Sequence, residues 1–314
     1  MGVKQFLGIK WIEDSPQMLF YDTITRTIEY EKCEGFISLQ RTNQKRCKGY
    51  YDLGRKQIVP CRTFKDLTGS NYSQCVECQT NSGFDLCLGC NGDNCQTNSD
   101  KAKRFCEEGH HVYLAYFAND KLKVGTAASY RKYERLLEQG ALYSIFLAEV
   151  PNGRLARKIE NEVSKLGITT RVNASYKMNN FVIDRTDEEI GQMLMSEYET
   201  ILSKINGENK QYFIKPAYNN FTNISDKVRQ NLLEESRQLT IFGGMDEPEH
   251  KEYEKVSKPE CVSGEIKATV GSLILLKKDN RYSVVNMKSL EGWLVDFRKI
   301  ELGEKNGSFE QSER

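Results

Sequence analysis

The chain has little histidine and no long apolar stretch. Only three histidines occur in 314 residues, at positions 110, 111 and 250, which leaves few candidates for histidine-based acid–base catalysis. No apolar run approaches the length that crosses a bilayer, and the first residues lack the apolar stretch and cleavage site of a signal peptide. We therefore expect a cytoplasmic protein without a membrane partner.

Several common catalytic motifs are also missing. The sequence has no glycine-rich phosphate loop of the P-loop or Rossmann kind, no His-Glu-x-x-His and no serine nucleophile elbow. The corresponding nucleotide-binding and hydrolase classes are thereby excluded. A hydrophobic share of 39% and a charged share of 28% are ordinary for a globular protein, and the length allows two or three domains.

The net charge is only +1, but its distribution is uneven. Eight lysines or arginines and one acid lie between Arg41 and Lys65, and basic residues again lead between Lys121 and Arg135. Acids dominate from Glu234 to Glu265. This pattern fits a local face that binds a polyanion such as nucleic acid. Ordinary clustering of solvated surface charge is the alternative.

Eight of the ten cysteines fall between positions 47 and 106. In a chain without a secretion signal, this clustering indicates metal ligation rather than disulfides. Two C-x-x-C knuckles, Cys75/Cys78 and Cys87/Cys90, can together complete a tetrahedral zinc site. A second site can use the remaining four, or the knuckles can be split between two interleaved sites, with His110 or His111 replacing a cysteine. The candidate ligands for one or two structural zinc ions are Cys47, Cys61, Cys75, Cys78, Cys87, Cys90, Cys95 and Cys106.

Strand and helix patterns predict an α+β, multi-domain chain. The predicted order is an N-terminal β segment (1–46), a zinc-ribbon-like Cys-rich module (47–108), an α/β domain (109–185), a helical linker region (186–258), a small β-barrel (259–302) and a disordered tail (303–314).

The α/β domain has the predicted order β-β-α-β-α. Strands over 111–117 and 122–125 form a hairpin, and Ser129 is placed to cap a helix that ends at Gly140. A strand over 143–150 and a helix over 155–165 follow.

Two triplets in this block resemble known motifs. His111-Val112-Tyr113 and, ten residues after Tyr113, Lys123-Val124-Gly125 are similar to the strand pair that names the GIY-YIG nuclease superfamily. Members of that superfamily next carry an Arg on the first helix and a Glu on a later helix. Arg135 and Glu160 occupy those places, whereas His111 and Lys123 replace the family's Gly and Tyr. The whole order also resembles an uncharacterised bacterial and archaeal family with a Cys cluster, His-Val-Tyr-Leu-Ala, Lys-Val-Gly and Glu-Gln-Gly-Ala.

The superfamily resemblance implies metal-dependent hydrolysis of a nucleic-acid phosphodiester. Tyr113 would take a proton from water, with its pKa lowered by Lys123. Arg135 would contact the phosphate and Glu160 would hold Mg²⁺ or Mn²⁺. The alternative is a non-catalytic module that binds nucleic acid or protein. If the four side chains converge in an open pocket, the enzyme is favoured; if Glu160 faces away, the binder is.

Overall fold

The computed structural model describes residues 3–52, 55, 57–179, 181, 185–222, 232 and 253–300. Within them the fold is mixed α+β, mostly strands, as the patterns predicted. None of the described helices is long and apolar enough to cross a membrane. The predicted helix near 225–239 lies almost wholly, and the predicted tail (303–314) entirely, outside the described residues.

The strands are β1 (Lys4–Ile12), β2 (Ser15–Asp22), β3 (Ile28–Lys32), β4 (Gly35–Lys45), β5 (Tyr50–Asp52), β6 (Gln57–Val59), β7 (His110–Tyr116), β8 (Leu122–Ala128), β9 (Tyr143–Val150), β10 (Tyr218–Asn220), β11 (Tyr253–Val256), β12 (Cys261–Val270), β13 (Leu273–Lys278), β14 (Arg281–Asn286) and β15 (Trp293–Ile300). The helices are α1 (Val76–Ser82), α2 (Asp100–Glu107), α3 (Lys132–Gln139), α4 (Gly153–Ser164), α5 (Ala174–Asn179), α6 (Asp187–Lys204) and α7 (Gly207–Lys210).

The N-terminal and C-terminal strands form one nine-stranded sheet, in the order β11-β14-β13-β12-β4-β15-β1-β2-β3. Strand β4 lies between β12 and β15, so that Leu39 is opposite Val262 on one side and Phe297 on the other. The prediction of a separate small barrel over 259–302 is therefore wrong. The strands exist, but β4 pairs with two of them, and the sheet as described is open.

Strand β13 is buried on both faces. Because side chains alternate along a strand, Ile274 and Leu276 face the core of the nine-stranded sheet. Leu273 and Leu275 face the other way, into a core shared with the α/β block. A continuous apolar strand needs cover on both sides, and here the α/β block supplies the second cover.

The α/β block contains a four-stranded sheet, β10-β9-β7-β8. Its inner strand β7 is fully buried because α4 and α6 pack on one face and α3 on the other. The predicted strands and helices all form in the predicted order, and β9 has the predicted limits.

The start of α3 differs from the prediction. Ser129 does not cap the helix: a 3-10 turn precedes α3, and the Ser129 hydroxyl lies 3.1 Å from Nδ1 of His111. The end of α3 is as expected, since Gly140 adopts a left-handed conformation with φ 69°, which glycine tolerates without strain.

Because β4 fills the middle of the large sheet, Ile37→Ala should reduce the free energy of unfolding by about 2–5 kcal/mol. Ile37 is completely buried, whereas Ile24 is 81% exposed, so Ile24→Ala is the matched control and should change stability by less than about 0.5 kcal/mol. Denaturant unfolding measures both. Equal losses would contradict the central position of β4.

Candidate metal centre and basic cleft

Four cysteines converge between the large sheet and α1. Cys47 follows β4, Cys61 follows β6, Cys75 caps α1 and Cys78 lies in its first turn. Their four Sγ atoms all lie within 4.8 Å of one another, and those of Cys61 and Cys75 are 4.0 Å apart. A tetrahedral zinc ion with Zn–S bonds of about 2.3 Å holds its sulfurs about 3.8 Å apart. The group is therefore suited to a structural metal ion.

Two of these thiols ionise with difficulty in the absence of a cation, whereas hydrogen bonds involving Thr63 and the backbone of Lys65 outweigh burial and lower the pKa of Cys61 to about 6. Burial raises the pKa of Cys47 to about 11, and burial together with the neighbouring sulfurs raises that of Cys78. The backbone N–H of Cys75 donates to Sγ of Cys47 at 3.2 Å, the kind of bond that supports a thiolate ligand. Zinc would keep all four sulfurs deprotonated.

The two knuckles do not share this site, which corrects the simplest sequence interpretation. Cys75 and Cys78 join Cys47 and Cys61, and the knuckle of Cys87 and Cys90 lies elsewhere, in the split arrangement that the sequence left open. Cys87 is near Cys90, Cys95 and Cys106, since each of these thiols contributes to raising its pKa after burial. None of the ten cysteines, all of which lie in described parts of the chain, forms a disulfide.

Tyr113 and Lys123 lie on adjacent strands of the α/β block. Tyr113 is opposite Gly125, and a Cβ on that glycine would lie only 2.3 Å from the tyrosine oxygen; the glycine of Lys-Val-Gly therefore makes room for the ring. Gln139 donates to the Tyr113 oxygen at 2.7 Å and accepts a hydrogen bond from the Lys123 amine. Sequence reasoning missed Gln139, although it lies in the quoted Glu-Gln-Gly-Ala motif.

The pKa of Tyr113 shifts opposite to the expectation. Burial raises it to about 12, so the predicted lowering by Lys123 is wrong. It is the lysine whose pKa is lowered, to about 7, by burial and then by the positive charges of Arg135 and Lys177. Burial disfavours the charged form of both side chains, so the tyrosine stays protonated and the lysine loses its proton more readily.

A cleft of about 890 Å³ lies in front of these residues, between the α/β block and the large sheet. Eight basic and two acidic side chains line it. Both acids are engaged, since Glu138 accepts from Arg131 at 2.7 Å and Glu291 pairs with Lys48. The cleft therefore has a surplus of positive charge. Its basic residues are Lys10, Lys48, Lys123, Arg131, Arg135, Arg171, Lys177 and Lys288.

Of the four predicted catalytic residues, Lys123 and Arg135 line the cleft and Tyr113 lies beneath it. Glu160 is close enough to affect the pKa of both Tyr113 and Lys123. It is only 9% exposed, does not line the cleft, and accepts from Arg157 at 2.7 Å. Among the described residues, no cluster of potential metal ligands surrounds it.

The model of one protein family matches residues 36–295. The chain thus belongs to the family described as a protein of unknown function, DUF2797. This confirms the resemblance to an uncharacterised family, while the relationship to GIY-YIG nucleases stays a prediction. No curated protein and no solved structure matches the chain.

Cys47→Ser should remove one zinc ion per chain, because three thiolates and a hydroxyl hold zinc less tightly than four thiolates. It should also lower the melting temperature, since the binding free energy of a structural metal contributes to folding. Cys261→Ser is the control: Cys261 is exposed and lies outside the cluster. Elemental analysis and thermal unfolding measure the two effects; unchanged zinc content in Cys47→Ser would contradict the assignment.

Proposed function

We propose that this protein binds single-stranded nucleic acid, with the phosphate backbone in the basic cleft and with structural zinc supporting one wall. The observation that carries the proposal is the surplus of basic side chains in a cleft whose two acids are already paired. Such a groove attracts a polyanion and releases its counterions. The basic segment 41–65 supplies Lys48, on the wall next to the Cys47 group.

A bound nucleic-acid strand would also bring the negative charge that the cleft lacks. Lys123 has a pKa of about 7 and Lys177 of about 8, both lowered first by burial and then by neighbouring positive charges. A phosphate beside them would reverse that repulsion and restore their protons. These two lysines are thus better suited to a polyanionic ligand than to a neutral one.

Tyrosines continue the cleft on one side, which favours a single strand over a duplex. An adjoining cavity of about 410 Å³ is lined by Tyr130 and Tyr133 and shares Tyr51, Lys10 and Arg131 with the cleft. Three acids, Glu13, Asp14 and Glu134, also line it, so it suits bases better than phosphates. Tyr130 and Tyr133 are 50% and 46% exposed. Bases of a single strand can stack on such rings, whereas those of a duplex are stacked on one another.

The protonation of Tyr113 and the ion pair of Glu160 favour binding over cleavage. Tyr113, with a pKa of about 12, is a poor base near neutral pH. Glu160 is held by Arg157 and is not part of the cleft lining, so a metal ion there would have to displace an ion pair.

The main test is the affinity for a labelled single strand, measured by fluorescence anisotropy against a duplex of the same sequence. We expect the strand to bind more tightly, and Tyr133→Ala to weaken it by about 5- to 150-fold, the equivalent of 1–3 kcal/mol for one stacked base. Arg135→Gln should weaken binding and flatten its salt dependence by about 0.7 in the log–log slope.

Two matched controls lie outside both cavities. Tyr72 is 70% exposed, and Arg281 is exposed at the start of β14; Tyr72→Ala and Arg281→Gln should bind like the wild type. No binding of any strand at low salt would refute the proposal. Equal affinity for strand and duplex would refute its single-stranded part.

Affinity should fall as the pH rises from about 6 to about 9, because Lys123 and Lys177 lose their protons near pH 7 and 8 in the free protein. Replacing both with arginine, which stays charged, should flatten the profile once a melting curve has shown that the variant is folded. An identical pH dependence in the two proteins would exclude these lysines from the interface.

Hydrolysis of the phosphodiester is a second candidate, favoured by the close grouping of Lys123, Arg135 and Glu160. A lysine with a pKa of about 7 can take a proton from water at neutral pH, in place of Tyr113. Arg135 would stabilise charge on the phosphate, and Glu160 would need to exchange Arg157 for Mg²⁺ or Mn²⁺.

If the protein is a nuclease, cleavage should require Mg²⁺ or Mn²⁺, and Glu160→Gln should abolish it while strand affinity changes little. Gel analysis of labelled DNA and RNA with each metal ion and with chelator measures this. Cleavage by the wild type that persists in Glu160→Gln would remove Glu160 from the mechanism. Absence of cleavage with every metal ion would leave binding as the function.

A further inference from the structure

The second C-x-x-C knuckle lies beside a small cavity with an unusual set of side chains. The cavity is about 190 Å³, and Cys87, Cys90, Cys106 and His110 all line it. The knuckle is on the chain before α2, Cys106 is in the last turn of α2, and His110 begins β7. The knuckle, α2 and β7 thus line one cavity with soft metal ligands. Their ligand atoms are further apart than the 4.8 Å of the Cys47 group, so an ion bound here would draw them together.

His110 is oriented as a metal ligand would be. The residue is only 4% exposed, and its Nδ1 lies 2.8 Å from the carbonyl oxygen of Glu108. A carbonyl can only accept, so Nδ1 carries the proton, and in the neutral imidazole Nε2 then keeps its lone pair. Metal-bound histidines typically donate their second nitrogen to such an oxygen. Phe105 packs edge-on against the ring, with centroids 5.2 Å apart, and fixes it further.

The free nitrogen of His110 and the sulfur of Cys106 approach the same point. A Cβ built on Gly153 would lie 3.0 Å from Nε2 of His110 and 3.4 Å from Sγ of Cys106. Any other residue at the start of α4 would therefore crowd both groups, and glycine leaves that space clear.

We propose that Cys87, Cys90 and Cys106, with Nε2 of His110 as fourth ligand, bind a second zinc ion. Three thiolates and one imidazole are a usual tetrahedral set for structural zinc. The set carries a net negative charge once zinc is bound, and Arg157 lines the same cavity to offset it. Cys95, although near the group, is exposed and does not line the cavity; it is outside the site.

This site would join the Cys-rich segment to the α/β block. Arg154 of α4 already donates to the carbonyl of Gly92 at 2.8 Å, and the metal would add a covalent-strength link between β7 and the knuckle. Arg131 and Arg135 line this cavity and the basic cleft alike. The second ion would therefore fix the wall on which the proposed interface depends, although the metal site itself does not rest on that proposal.

Zinc content of the full chain, purified without chelator, is the first test. The wild type should contain two ions. His110→Gln and Cys106→Ser should each contain one, and Cys95→Ser should keep two. A single zinc ion in the wild type would overturn the proposal, and loss of an ion from Cys95→Ser but not from His110→Gln would overturn the choice of ligand.

A measurement on the unmodified protein covers the case in which these variants do not fold. The chain has only three histidines, so long-range nitrogen NMR can identify each ring. His110 should show a metal-bound Nε2 and a protonated Nδ1 that do not change with pH in the neutral range. A His110 ring with a proton on Nε2 would refute its role as a ligand.

Discussion

The double-sided burial of β13 determines the relation between the two sheets. Leu273 and Leu275 belong to the core of the α/β block, and Ile274 and Leu276 to that of the large sheet. One short strand therefore contributes side chains to both cores and holds the α/β block against the large sheet. Further contact comes from the end of α3, where a Cβ built on Gly140 would lie 3.1 Å from the carbonyl oxygen of Val270. The cleft lies beside β13, between the large sheet and the α/β block, and basic residues of both line it.

Burying the Lys123 amine at the cleft lowers the stability of the fold, a loss that a purely structural surface would avoid. Because the pKa of Lys123 is about 7 in the folded protein and about 10.4 for an unfolded lysine, the unfolded chain binds more protons between these values. Stability contributed by this group therefore rises with pH across that window and is lost as pH falls through about 7. Charged groups that destabilise the free fold are a feature of functional sites, and a polyanionic ligand would relieve the repulsion.

The elements of the fold were largely predictable, but their assembly was not. Period-two and period-3.6 patterns located β7, β9 and α6, and the cysteine spacing indicated metal. Pairing of β4 with β12 joins residues more than two hundred positions apart, and no local pattern records such a contact. The separation of the two C-x-x-C knuckles also depends on how segments distant in sequence pack, so no local pattern predicts it. One signal was available: the apolar run Leu273–Leu276 is typical of a strand covered on both faces, which a small isolated barrel would not require.

The most direct test of the proposed interface is to identify which residues touch the nucleic acid. Ultraviolet cross-linking of a bound single strand, followed by mass spectrometry of the peptides, maps contacts without any substitution. The account predicts cross-links at Tyr51, Tyr130 or Tyr133 and at peptides that carry Lys123 or Arg135. Cross-links confined to the surface around Arg281, which lines neither the cleft nor the tyrosine cavity, would contradict it.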